Sequence, residues 1–193
     1  MGRLILQLMI TVDGKVSGPK GELDWIANDQ GIFQDHLARL EQASVVVLGG
    51  ASYPGMRDAW AMIAEDENAD EASKAIGRAM NKTPMVIYSH EDKPAKGDDK
   101  IRVIKDDQAL VEDVQRLKKE TDGTLVSYGG VRFARSLVRL DLVDEIHLDV
   151  CPVILGEGQL LFTELTHGTK LRLLKSTTHD SGATEMHYEV VKD

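Results

Sequence analysis

The sequence predicts an α/β fold in three layers: a mostly parallel central sheet flanked by helices, with an antiparallel hairpin at its C-terminal end. Three observations predict it. Short apolar runs of strand length alternate with segments of helical period for most of the chain. Two of those runs end in glycine pairs that lead directly into the next segment, Gly49-Gly50 and Gly129-Gly130. Near the C-terminus two strand-like runs are separated only by Asp180-Ser181-Gly182, a hairpin signal.

The elements follow in order. Leu4 to Val12 is a mostly apolar run suited to a strand buried on both faces, closed by Asp13-Gly14. Although it begins near the N-terminus, Gln7 interrupts it and no cleavage site follows, so it reads as a strand and not as a leader. Ile32, Phe33, Leu37 and Leu40 line one side of a helix over roughly residues 29 to 42. Val45 to Leu48 is a short apolar strand. Residues 60 to 82 are polar and read as loop with a helix around Ala69 to Met80. Pro84 introduces the strand Met85 to Ser89, and Ile101 to Ile104 is another. Leu110, Val114 and Leu117 then recur at helical spacing. The strand Thr124 to Tyr128, a helix through Leu140 and the strand Glu145 to Val153 complete the parallel part. Leu171 to Thr178 and Thr184 to Val191 form the hairpin. No repeat, low-complexity tract or linker divides the chain, which reads as one domain over residues 1–193.

Composition narrows the function. A chain of 193 residues, 42% hydrophobic, can bury one sizeable core. The net charge of −9 and the acidic run Glu65-Asp66-Glu67 argue against a nucleic-acid partner. The single Cys151 excludes an internal disulfide framework and makes a reducing cytoplasm the expected compartment. No segment is long enough to span a membrane. The six histidines show no metal-ligand spacing, so no metal is expected; His147 and Asp149 share a strand face that reads as a polar lining. The G-x-G-x-x-G, G-x-x-x-x-G-K-[ST] and G-x-S-x-G motifs are all missing.

The glycine pairs carry the most chemistry. A Gly pair between strand and helix lets backbone approach a ligand without a Cβ in the way, and the helix that follows presents free N–H groups to phosphate. Gly129-Gly130 before Val131-Arg132-Phe133 has this form, and Gly49-Gly50-Ala51-Ser52-Tyr53 is a second instance. Two such strand ends suggest a nucleotide lying across the carboxyl edge of the sheet. The bland alternative is that both pairs merely make tight turns.

Thr11-Val12-Asp13-Gly14-Lys15-Val16, Val47-Leu48-Gly49, Tyr128-Gly129-Gly130, Leu142-Val143-Asp144-Glu145-Ile146 and Cys151-Pro152 through Gly156-Glu157-Gly158 stand in an order that resembles the dihydrofolate reductase-like superfamily. Within it, the chain is most similar to the C-terminal reductase domain of the bifunctional riboflavin-biosynthesis deaminase-reductase. The H-x-E and P-C-x-x-C signature of the deaminase half is absent, so a stand-alone reductase-type domain is expected.

The resemblance implies a dihydrofolate reductase-like fold, NADPH as cofactor and a homodimer paired through the region around Leu140 to Val150. It also implies a cis peptide at Gly129-Gly130 against the pyrophosphate, with the N–H groups of Val131, Arg132 and Phe133 on the phosphates. Gly49, Ser52 and the adjoining Tyr53 fall in the family's second phosphate loop. The basic residue expected there is replaced by Gly50 or Ala51. Ser89 matches a position near the adenosine 2′-phosphate.

On the substrate side, Trp25 followed by Asp29 resembles the family's Trp and helix-start acid. That would make Asp29 the catalytic acid, while an N-cap is an equal reading of the same residue. Asp13 and Lys15 are candidates for the substrate, Lys15 for a substrate phosphate. The implied substrate is a ribosylamino-pyrimidine. A folate or other pteridine is the alternative, for which Arg39 would supply a carboxylate partner. A non-catalytic nucleotide-binding dimer is the third reading.

Overall fold

The computed structural model describes residues 1–90, 100–163, 165 and 167–192. Five strands run parallel in its main sheet beside the first: β1 (Arg3–Thr11), β3 (Ala43–Gly49), β4 (Met85–Ser89), β5 (Ile101–Val103), β6 (Thr124–Ser127) and β7 (Glu145–Cys151). Two antiparallel strands, β9 (Lys170–Thr178) and β10 (Thr184–Val191), extend it beyond β7. The order across the sheet is β5-β4-β3-β6-β1-β7-β10-β9. A separate small ladder pairs β2 (Lys15–Ser17) with β8 (Gln159–Leu160). The helices are α1 (Gln30–Glu41), α2 (Tyr53–Glu65), α3 (Glu71–Lys82), α4 (Asp107–Glu120) and α5 (Val131–Arg139).

Strand alternation divides the core between two faces. One face buries Leu4, Leu6, Val47, Leu125, Ile146 and Leu148 against Val114 of α4 and Leu137 of α5. The other buries Val46, Leu48 and Ile87 against Leu40 of α1 and Ile76 and Met80 of α3. Replacing one of these side chains by Ala, Leu137 for instance, should cost about 2–5 kcal/mol.

The fold class and most elements agree with the sequence, within a residue or two at their ends. Four points differ. Residues 53–65 form α2, which the polar composition concealed; Pro54 in its first turn is the start signal. The ladder of β2 and β8 is too short for periodicity to reveal. β1 is not apolar on both faces, because Gln7 is buried facing α1. Finally, β7 is an interior strand, held between β1 and β10, so the segment expected to pair two copies lies inside the sheet. The edge is β9.

Candidate active site

Because β3, β4 and β6 are parallel neighbours or nearly so, their carboxyl ends open on one edge of the sheet. There the two glycine turns meet. A Cβ on Gly130 would lie 2.0 Å from Ser52 Oγ, and one on Gly49 would lie 2.7 Å from Phe133 Cβ. Both positions therefore need glycine so that the turns and α5 can approach one another. Gly129 takes a φ of 115°, a conformation closed to ordinary L side chains. No cis peptide occurs among the described residues, so Gly129-Gly130 reverses the chain through this positive φ and not through the expected cis bond.

The first rung of α5 runs from Ala134 N–H to the Gly130 carbonyl at 3.0 Å. The N–H groups of Val131, Arg132 and Phe133 thus lie outside the helical ladder, and Gly130 offers no side chain to cap them. Beside them is a cavity of about 460 Å³, lined by Gly49, Gly50, Ser89, His90, Arg132, Arg135, Ser136 and Arg139 among others. Arg135 donates to the Leu160 carbonyl and Arg139 holds Asp107 through two bonds of 2.8 and 3.0 Å. The Arg132 guanidinium has no such partner among the described residues and is exposed at the mouth. Phe133 stacks on Tyr88 with centroids 5.5 Å apart, giving the cavity an aromatic floor. The loop after Gly49 carries no cation, while three arginines of α5 line the same cavity. A wider groove of about 690 Å³ around Gly2, Asp144 and Lys192 touches neither glycine turn.

The other sequence-predicted residues fare differently. Gly49, Gly50, Ser89, Arg132 and Phe133 line the cavity, while Ser52, Gly129, Gly130 and Val131 form the adjoining turn. Tyr53 does not: as the first residue of α2 it is 3% exposed, packed with Leu48, Ile76 and Met80, with Arg57 over its ring. Asp13 is committed to structure. Its carboxylate accepts from Thr11 Oγ1 (2.6 Å) and from the backbone N–H groups of Leu155 and Gly156. The Thr11 bond is the main reason its pKa lies below the usual value. Asp13 therefore pins the Pro152–Gly158 loop, in which Gly158 is needed because a Cβ would meet the Ser17 carbonyl at 2.2 Å. Lys15 sits in β2, half-buried, with its N–H on Thr11 Oγ1.

Asp29 is the N-cap of α1. Oδ1 accepts from Gly31 N–H (2.8 Å) and Ile32 N–H (3.3 Å), while Oδ2 accepts from Ser181 N–H (2.8 Å) in the β9–β10 turn. Ser181, through its side chain and its backbone, is the largest of the influences that hold the carboxyl at a pKa of about 2. These bonds give Asp29 the capping role.

One cluster was not anticipated. Beneath α1, the sheet face of β1, β7 and β10 is charged and buried. Arg39 donates to Gln7 Oε1 and Glu185 Oε1 (2.5 Å each), and His36 bonds Asp149 at 2.7 Å. Gln7 donates to the same Asp149 oxygen, and the His147 and His187 rings stack 3.7 Å apart. Burial opposes ionisation of Glu185, but hydrogen bonds from His187 and Arg39 hold its pKa well below the usual carboxylate range. The signal was Gln7 in an apolar run together with His147 and Asp149 on one strand face. Arg39 is spent inside this cluster, which removes the one residue that favoured a folate-type carboxylate.

Residues 3–184 match the RibD C-terminal domain family. The chain belongs to that family. Among curated relatives, the uncharacterized protein YyaP of Bacillus subtilis (strain 168) is 28% identical over 187 residues, covering 96% of this chain and 94% of its own. Among solved structures, a putative riboflavin biosynthesis protein from Shewanella sp. PV-4 superposes with a TM-score of 0.74 at 21% identity, covering 98% of this chain and 99% of that one. The diaminohydroxyphosphoribosylaminopyrimidine deaminase/5-amino-6-(5-phosphoribosylamino)uracil reductase of Thermotoga maritima gives 0.69 at 14% identity, covering 98% of this chain and 57% of its own. Dihydrofolate reductase from Enterococcus faecalis, solved with NADP(H), gives 0.56 at 15% identity over 99% of this chain and 98% of its own. The fold is dihydrofolate reductase-like, and the family places the chain with riboflavin-pathway reductase domains.

Proposed function

We propose that this RibD C-terminal domain protein is an NADPH-dependent reductase acting on a ribosylamino-pyrimidine or similarly small phosphorylated heterocycle. The observation that carries the reading is the meeting of two glycine turns, Gly49–Ser52 and Gly129–Gly130, beside a cavity lined by three arginines. The residues fit a nicotinamide dinucleotide. A Cβ at Gly130 would close the cradle, and three N–H groups at the head of α5 suit a pyrophosphate. Arg132, with Ser89 across the cavity, suits a further phosphate. The bound cofactor would supply the hydride; the chain would orient it and exclude water. Lys15 is the proposed contact for a substrate phosphate.

We also propose a homodimer, formed through the β9 edge. Leu171, Leu173 and Leu174 stand exposed there at 39%, 54% and 49%, on a strand with no outer neighbour among the described residues. A long edge of this kind invites pairing with a second copy.

Fluorescence titration with NADPH and NADH, followed by turnover on a ribosylamino-pyrimidine and on dihydrofolate, tests the function. Saturable NADPH binding with turnover of the pyrimidine is expected. Binding of neither nucleotide would overturn the reading, and turnover of dihydrofolate alone would replace the substrate class.

A further inference from the structure

Asp35 of α1 is far in sequence from His179, just after β9, and Glu185 of β10, yet one ligand atom from each lies within 4.8 Å of the other two. We propose that these three residues form a binding site for a divalent transition-metal ion of the zinc class. Two observations beyond proximity point to a ligand. His179 Nε2 and Glu185 Oε2 are both buried and neither has a hydrogen-bond partner, although the side chains are 6% and 1% exposed. Buried polar atoms are nearly always partnered, and leaving one without a partner is unfavourable. A single cation between them would satisfy both.

The donor set names the metal class. One imidazole nitrogen with two carboxylate oxygens suits zinc and its neighbours, whereas calcium and magnesium prefer oxygen alone. Zinc bonds of about 2.0–2.2 Å would place ligand atoms roughly 3–3.5 Å apart. His179 Nε2 and Asp35 Oδ2 are 3.9 Å apart, too far for a hydrogen bond, and a small turn of the Asp35 side chain closes the difference. Asp35 is 38% exposed, so an ion can enter from its side and keep a water there.

The surroundings hold the ligands in place. Arg39 bonds Glu185 Oε1, leaving Oε2 without a hydrogen-bond partner. Asp29, by accepting from Ser181 N–H, fixes the turn that carries His179 against α1. Such support behind the ligands is what tunes a metal site. The rival cation is Lys175, whose Nζ lies 3.8 Å from Glu185 Oε2 on a half-exposed side chain that is free to swing into solvent.

The test is metal uptake by the tag-free, chelator-treated full chain, read by calorimetry with Zn²⁺ and by the visible absorption of Co²⁺. One equivalent of Zn²⁺ should bind, displacing Co²⁺. Asp35→Asn, at a half-exposed position, and His179→Ala should each weaken it by roughly 100-fold or more. Lys175→Met should tighten it by removing the competing ammonium. Absence of one-equivalent uptake overturns the proposal, as does weakening in Lys175→Met. Uptake that persists unchanged in both ligand variants belongs to exposed His90 or His167 and equally overturns it.

Discussion

Asp29 separates the two readings of this chain most sharply, because an acid catalyst and a structural clamp respond oppositely to its replacement. Its pKa falls from 3.8 to about 2 on folding. At about 1.4 kcal/mol per tenfold change in proton affinity, that corresponds to roughly 2–3 kcal/mol of stability from the ionised carboxylate. Independently, loss of an N-cap costs about 0.5–2 kcal/mol and loss of a charged hydrogen bond about 1.5–3 kcal/mol. Asp29→Ala removes both the cap and the Ser181 contact, so about 3 kcal/mol is expected, a Tm lower by roughly 6–12 °C for a domain of this size. Asp29→Asn keeps the oxygen that caps Gly31 and Ile32 but can turn an amide N–H towards Ser181 N–H, and should lose about half as much. The sign of the pH dependence follows. A depressed folded-state pKa gives stability that is complete above about pH 4 and lost as the pH falls towards 2, and both variants should flatten that limb. Calorimetric melts between pH 2 and 7, with turnover measured on the same samples below the melting transition, decide the matter. Unchanged Tm with turnover down by more than about 100-fold in Asp29→Asn would refute the clamp and restore the acid.

Three further outcomes are expected. Gly130→Val places a branched side chain where Ser52 Oγ already stands 2.0 Å from the Cβ position, and NADPH affinity by calorimetry should fall at least about tenfold; unchanged affinity would dissociate the turn from the cofactor. Arg132→Ala should narrow the preference for NADPH over NADH by about 10- to 100-fold, the worth of a charge-assisted contact, whereas equal loss for both nucleotides would move Arg132 to the pyrophosphate. Sedimentation at micromolar concentration should give about twice the chain mass of 21.3 kDa, and Leu173→Lys on the β9 edge should return it to the single-chain mass; a wild-type monomer removes the dimer.

What the sequence revealed of the fold was whatever repeats along one element. Val45 to Leu48 and Thr184 to Val191 announce themselves by composition and alternation, and Leu110, Val114 and Leu117 by helical period, because burial acts on each side chain in register with its own backbone. The two glycine turns were legible for the same reason, since strand, Gly pair and helix are contiguous. Tyr53 and Asp13 show where that reasoning ends. Both sit next to real turn residues, but whether a side chain faces a cavity or a core depends on the helix or loop packed against it. Tyr53 points into the interface of α2 and α3, and Asp13 is claimed by a loop more than 140 residues further on in the chain.

The charged layer beneath α1 is the strongest case of information that no single segment carries. Gln7, His36, Arg39, Asp149, Glu185 and His187 come from four elements, and each alone looks like a surface residue or an isolated irregularity. Together they are buried or half-buried, and the cost of burial is offset because they partner one another: Arg39 bonds Gln7 and Glu185, and His36 bonds Asp149. That arrangement has consequences for both readings of the molecule. Arg39 cannot leave Glu185 for a substrate carboxylate without taking a charged hydrogen bond from a buried anion, which disfavours a folate-type ligand at this position. By binding only one oxygen of Glu185, the same arginine leaves the other without a hydrogen-bond partner. The layer thus occupies the one arginine a folate-type carboxylate would need, and leaves an unpartnered carboxylate oxygen of the kind the proposed metal site requires.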